Sequence, residues 1–260
     1  MLVVMWGVRQ LEPRMAFFPF AGEDVTPRQF GTEFTTLTLN TADGERLRAW
    51  HIPRADALAQ IVYFHGNGGN LSIWTDVLVG LWQQRLDVVA VDYRGYGMSS
   101  GTPSEQGLYR DVDATVTFVD STLRRADLPQ IYWGRSLGTA MAGYAATRGR
   151  PDGIVLEAGF PSARSLFDRN PVMLVLSAFS TYRFATAKWM AGVTTPTLVI
   201  HGDRDSVIPY RHGQRLYDTL PGPKRFVTIP GGDHNDPAPV DAELYWGAVR
   251  EFIASLSRRG

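Results

Sequence analysis

The stretch Ile131-Tyr132-Trp133-Gly134-Arg135-Ser136-Leu137-Gly138-Thr139-Ala140 restricts the folds open to this chain more than any other. An apolar, β-prone run stops abruptly at Gly-x-Ser-x-Gly, and the residues that follow are small and compatible with a helix. A serine on a tight turn between a strand and a helix takes a strained backbone conformation, tolerated only where the residues two positions to either side lack bulk. Gly134 and Gly138 meet that condition. Such a turn lifts the Ser136 hydroxyl clear of a sheet and places the Leu137 amide N–H at a helix N-terminus, facing any developing negative charge. Taken alone, five such residues are more often an ordinary structural turn than a catalytic one. The reading therefore depends on whether the rest of the chain supplies a base, an acid and a second hydrogen-bond donor.

Around this stretch strands and helices alternate, as a mostly parallel sheet with crossover helices requires. Residues 1–31, interrupted by Pro13, Pro19 and Pro27, read as an arm laid over the domain. A hairpin is predicted over 34–39 and 47–52, about the turn Asp43-Gly44. Apolar runs at 61–64, 88–91, 131–135, 153–157, 197–201 and 225–229 complete an eight-stranded sheet. Helical patterns at 71–84, 105–125, 137–147 and 211–220 separate them, and 240–256 closes the chain. Residues 159–192 break the rhythm with an apolar, aromatic composition and no strand, and read as a short lid or pocket wall. Phe160, Phe167, Met173 and Phe179 are its candidate pocket residues, although the same composition fits plain core. No repeat or linker divides the chain, so the expectation is a single domain over residues 1–260.

The length of 260 residues suits one large α/β domain. Lysine plus arginine balance aspartate plus glutamate at 26 each, so no net field steers the chain toward nucleic acid, and none is expected as a partner. The absence of cysteine excludes a disulfide, a thiolate nucleophile and a Cys-type zinc site, leaving covalent chemistry to another side chain. At the N-terminus, Met1 to Trp6 is apolar but far too short to span a bilayer, and Arg9 follows. It reads as a buried or frayed terminus, or as the stub of a longer membrane segment. The corresponding locations are cytoplasmic or membrane-associated. Oligomeric state has no signal in the sequence.

A base for Ser136 is sought among five histidines, since a neutral imidazole near pH 7 is the usual one. His51 and His65 precede the serine, His201 ends a buried strand and His212 begins an amphipathic helix. His234, in Pro230-Gly231-Gly232-Asp233-His234-Asn235, leaves the last strand at the carboxyl edge where such sheets bind ligands, and it completes the chain order Ser, acid, His. The acid should also leave a strand end, and Asp203 and Asp205 both do so. Asp205 is preferred because it lies deeper in the loop, directly before Val207-Ile208-Pro209, whereas Asp203 is expected to cap the turn or pair with Arg204. Asp233 and Asp236 are expected to hold the histidine loop. The second donor falls in the glycine-rich turn His65-Gly66-Asn67-Gly68-Gly69-Asn70, through the backbone N–H of Asn67, with His65 in a structural role. A phosphate cradle is the rival reading of this turn, but the Gly-Lys-Ser/Thr ending is missing.

With Asp92-Tyr93-Arg94-Gly95-Tyr96-Gly97, Pro103-Ser104-Glu105-Gln106-Gly107-Leu108 and Asp233-His234-Asn235-Asp236 added to the serine and glycine motifs, the chain resembles an α/β-hydrolase. Within that superfamily it is similar to the Bem46-like subgroup of serine hydrolases, which includes lipases and depalmitoylating thioesterases of the ABHD13 and ABHD17 types. The likeness covers roughly residues 33–256. It implies Ser136, Asp205 and His234 as a triad, the amides of Asn67 and Leu137 as the oxyanion hole, and no metal or organic cofactor. It further implies hydrolysis of a small-molecule or lipid acyl ester or thioester. Members often carry a membrane-spanning N-terminus, and the cysteine-rich arm of the ABHD17 type is absent here. A serine at position 136, where dehalogenases and epoxide hydrolases of this fold use aspartate, points to an acyl-enzyme. The alternatives are a serine peptidase of the same fold, a membrane-attached lipase or depalmitoylating thioesterase, and a non-catalytic hydrolase-like binding protein.

Overall fold

Strands that are apolar on both faces must be covered on both faces, which places them inside a sheet between two helical layers. Five runs of this chain meet that condition: β3 (Ala59–Phe64), β4 (Leu86–Val91), β5 (Gln130–Arg135), β6 (Gly153–Glu157) and β7 (Thr197–Gly202) are buried at every position. They form the centre of the sheet in a computed structural model that describes residues 16–167 and 180–257. The hairpin strands β1 (Thr35–Asn40) and β2 (Arg46–Ile52) extend one side, and β8 (Lys224–Ile229) closes the other. The order is β8-β7-β6-β5-β3-β4-β2-β1, parallel except where β2 meets β1 and β4. The sheet's exposed strand positions fall on the two edge strands and at Arg46, which begins β2.

Side chains alternate between the faces with period two. Val62 and Phe64 of β3 join one core with α2 (Glu105–Phe118), α3 (Leu137–Ala145), α4 (Thr186–Met190) and α5 (Tyr210–Asp218). Ile61 and Tyr63 face the other core, with α1 (Thr75–Gln83) and α6 (Ala242–Ser257). The strand order reverses between β3 and β5, since β4 follows β3 on one side and β5 pairs with β3 on the other. A crevice opens at the carboxyl ends of two such strands. The residues that leave β3 and β5 are the glycine turn at 65–70 and Ser136.

The eight strands and the helices lie where the residue patterns put them, with two end effects. The first helix starts at Thr75 rather than residue 71, because Asp92 and Asn70 take the Leu71 and Ile73 amides and hold residues 71–74 in a turn. The second stops being α-helical at Phe118 and ends in a wide turn, Val119–Leu123, short of residue 125. The described part of residues 159–192 holds a single turn, Ala163–Phe167, and α4, with no strand. Helix α4 packs on α3 with Thr186 and Met190 fully buried, and a Cβ on Gly143 would lie 3.3 Å from Met190 Cγ. The Glu105 carboxylate accepts the Arg183 and Phe184 amides at 2.6 and 2.7 Å, pinning this segment to α2. Phe160 is buried in the core, Phe167 is half-buried, and Met173 and Phe179 lie outside the described residues, as does the stub at residues 2–6. Among the described residues no helix is long and apolar enough to cross a membrane.

The loop leaving β4 is fixed by a buried charge cluster. Arg94 donates from Nε to Asp111 at 2.8 Å and from both terminal nitrogens to Asp43 at 2.9 and 3.0 Å. Asp111 is fully buried, so removing the guanidinium would strand its charge. Arg94→Met should lower unfolding stability by about 3–5 kcal/mol, measured by urea denaturation at pH 7.

Candidate active site

Ser136 sits at φ 54°, ψ −119°, a conformation L residues rarely hold. The two glycines make it possible: a Cβ on Gly134 would collide with the Gly138 carbonyl, and one on Gly138 with the Phe64 carbonyl of β3. Strand, turn and helix are therefore packed backbone to backbone. The Ser136 amide donates to Glu157 O at 2.9 Å, anchoring the turn to β6. The first amides of a helix lack an intrahelical acceptor, and Leu137 opens α3.

The structure brings Ser136, His234 and Asp205 together from three different loops. His234 Nε2 lies 3.0 Å from Ser136 Oγ, and His234 Nδ1 lies 2.8 Å from Asp205 Oδ2. An ionised carboxylate only accepts, so Nδ1 carries the proton and Nε2 is left to accept from the serine hydroxyl. The other carboxylate oxygen of Asp205 accepts the Val207 and Ile208 amides at 2.9 and 2.6 Å. Burial alone would raise the Asp205 carboxyl. The hydrogen bonds from His201 and His234, the attraction of His234 when it is protonated, and the Ile208 amide outweigh burial and hold it well below the usual carboxylate range.

The remaining acids divide as the loop positions suggest. Asp203 caps the loop that carries His234 by accepting the Gly231 amide at 2.7 Å. Asp233 Oδ1 accepts the amide and hydroxyl of Ser206 and the His234 amide, each at 2.7 Å, so it joins the loops that carry Asp205 and His234. Asp236 accepts the Asp233 amide at 2.9 Å. His65 is buried and bonds the Gly66 carbonyl at 2.6 Å through Nδ1. The glycine turn does approach the serine, since a Cβ on Gly66 would lie 3.5 Å from Ser136 Cβ. Among the described residues no backbone acceptor takes the Asn67 amide, and no set of three His, Cys, Asp or Glu side chains converges as a metal site would.

Two neighbours escaped the sequence reading. Arg135, buried under the turn, donates to the His234 carbonyl at 2.8 Å and lies 5.4 Å over the Trp74 ring. Its countercharge is Glu157, 3.6 Å away, which also accepts from Trp133 Nε1 at 3.1 Å and the Tyr245 hydroxyl at 2.9 Å. A charged residue ending each of two adjacent apolar strands was the available signal. The other is His201, whose Nε2 donates to Ile208 O at 2.8 Å and stands 3.3 Å from Asp205.

A family model described as the alpha/beta hydrolase fold matches residues 60–195. The chain belongs to the alpha/beta hydrolase family. The uncharacterized protein Rv2307c of Mycobacterium tuberculosis is 30% identical over 261 residues, covering 100% of this chain and 92% of its own. The uncharacterized protein YfhR of Escherichia coli K12 is 33% identical over 261 residues, covering 94% and 89%. Among solved structures, the Pyrococcus furiosus esterase Pf2001 superposes with a TM-score of 0.74 at 19% identity, over 93% of this chain and 97% of that one.

In this hydrolase, Asp205 has a folded-state pKa below its unfolded value. The stability it contributes is present above about pH 4, the ordinary carboxyl pKa, and is lost as pH falls below that range. Asp205→Asn should therefore be less stable than the parent at pH 7, with the gap closing on acidification from pH 4 downward. Denaturant titrations across that range check it.

Proposed function

We propose that this chain is a serine hydrolase that cleaves carboxylic esters or thioesters through an acyl-enzyme on Ser136. The observation that carries the reading is the unbroken relay from Ser136 Oγ through His234 to Asp205, at 3.0 and 2.8 Å. Serine is a weak nucleophile until a positioned base removes its proton. His234 Nε2 takes that proton as Oγ bonds to the acyl carbon, then returns it to the departing alcohol or thiol. Water repeats the sequence in the second half, its proton passing to His234 and its oxygen to the acyl carbon, releasing the acid and restoring Ser136. Asp205 keeps the imidazole in the right tautomer and stabilises its charged form.

The amides of Asn67 and Leu137 form the proposed oxyanion hole, where losing one donor costs about 3 kcal/mol of transition-state stabilisation. Three features support this assignment: the glycine turn beside Ser136, the start of α3 and the chain order of the motifs. The likeness to a protein named as an esterase adds to the choice of acyl chemistry. The motif run resembles that of the Bem46-like subgroup, and this likeness supports a small-molecule or lipid acyl ester as substrate.

A fluorophosphonate probe should label the full chain at Ser136 and fail on Ser136→Ala. Labelling that survived the substitution would remove the serine from its role. On a panel of nitrophenyl esters of two to sixteen carbons, an acyl-CoA thioester and an aminoacyl anilide, acyl ester or thioester turnover should lead, and dominant anilide cleavage would point to a peptidase. His234→Ala should lower kcat by roughly ten-thousand-fold or more.

A further inference from the structure

We infer that the N-terminal strap, residues 16–22, is a working part of the site: a clamp that sets the position of the oxyanion-hole loop by gripping the Asn67 side chain. The inference rests on the hydrolase reading above and adds to it a positioning role for the Asn67 side chain, Tyr96 and the strap.

A donor amide is useful to catalysis only if it is already in place when charge develops. The loop that carries Asn67 is poorly suited to hold itself, because Gly66, Gly68 and Gly69 surround that residue and Gly69 sits at φ 88°. Glycine backbones lose the most freedom on ordering, so the loop needs outside support. Asn67 is the one residue of this run with a side chain, and both ends of its amide are engaged. Nδ2 donates to the Ala16 carbonyl at 2.7 Å, while the Tyr96 hydroxyl lies 2.9 Å from Oδ1 and from the Asn67 carbonyl. The side chain and carbonyl of Asn67 are thus taken up by structure, and its N–H is left over.

The strap holds the rest of the loop through backbone. Phe18–Pro19 run parallel to Gly68–Gly69, and the Phe20 amide donates to Gly69 O at 3.0 Å. On its other side the strap is fixed to the loop after β4: the Gly97 amide donates to Phe20 O at 2.8 Å and the Gly22 amide to Gly97 O at 3.2 Å. Asn70 Nδ2 reaches the Phe20 and Gly22 carbonyls at 3.2 and 2.9 Å. Phe17 is buried, with its ring 5.4 Å from Tyr182 and 6.1 Å from Phe184. The strap therefore bonds to both the glycine loop and the Tyr96 loop, is rooted in the core at Phe17, and Asn67 is clasped by the strap on one side and by Tyr96 on the other.

The test uses the full chain with Asn67→Ala, Tyr96→Phe and the double variant. Asn67→Ala keeps the backbone N–H, so a donor that needed no clamp would be unaffected. The clamp predicts a kcat lower by about ten- to a hundred-fold with KM little changed, and fluorophosphonate labelling of Ser136 slowed by a similar factor, because the phosphonyl oxygen occupies the same hole. Tyr96→Phe should shift both readouts in the same direction, and the double variant should lose less than the product of the two, since both act on one side chain. Hydrogen exchange at the Phe20 and Gly97 amides should quicken in Asn67→Ala while the thermal midpoint stays near that of the parent. Unchanged kcat and labelling rate in Asn67→Ala, or strap exchange indifferent to it, would overturn the inference. A parent chain that takes no label at Ser136 would instead remove the hydrolase reading itself.

Discussion

The contact on which the rest of the site depends is the one between α3 and β3 at Gly138. Helix and strand approach so closely there that a single methyl on Gly138 would strike the Phe64 carbonyl. That approach lets the chain turn from β5 into α3 at Ser136 with a positive φ, and the burial of both elements holds the turn in place. Strain of this kind costs on the order of 1–3 kcal/mol and persists only where surrounding packing over-determines it. The same close approach brings the ends of β3 and β5 side by side, so that the turn after one strand faces the serine after the other. Site geometry is thus a by-product of how tightly two backbones pack.

Buried charge does the remaining positioning, and each charge faces a partner, although Arg135 Nε and Glu157 Oε1 face each other at 3.6 Å without a hydrogen bond. Arg94 fixes the loop after β4 through Asp111 and Asp43, Arg135 pairs with Glu157 under the serine, and Asp205 is met by two histidines and two amides. Ionic groups so far from water are expensive unless geometrically satisfied.

Most of the frame was legible in the sequence because strand burial and helix periodicity are local signals. The order Ser136, Asp205, His234 was legible because each residue leaves a strand that its own apolar run announces. Asp205 was separable from Asp203 by the Val207-Ile208 segment, and those two amides do bind its carboxylate. What escaped depends on pairs distant in the chain. Arg135 and His234 are 99 positions apart, and Asn67 and Ala16 are 51 apart, with a backbone carbonyl as the acceptor in both cases. A carbonyl carries no residue-type signature, so no composition or spacing could have marked it. The sequence reads residues 1–31 as an arm over the domain, but what residues 16–22 grip was hidden for the same reason: their contacts run mainly through main chain.

Asp233 gives the relay an uneven construction. By binding Ser206 and the His234 amide at once, it joins the loops that leave β7 and β8, and the Arg204 amide adds a bond to Gly232 O at 3.1 Å. Asp205 and His234 are therefore held as one piece, while Ser136 belongs to another piece built on β5. The relay has a single joint, between Oγ and Nε2, and the Arg135 guanidinium is a strut across it. Under the proposed mechanism, loosening the β7–β8 edge would withdraw the carboxylate and imidazole together from an intact serine turn.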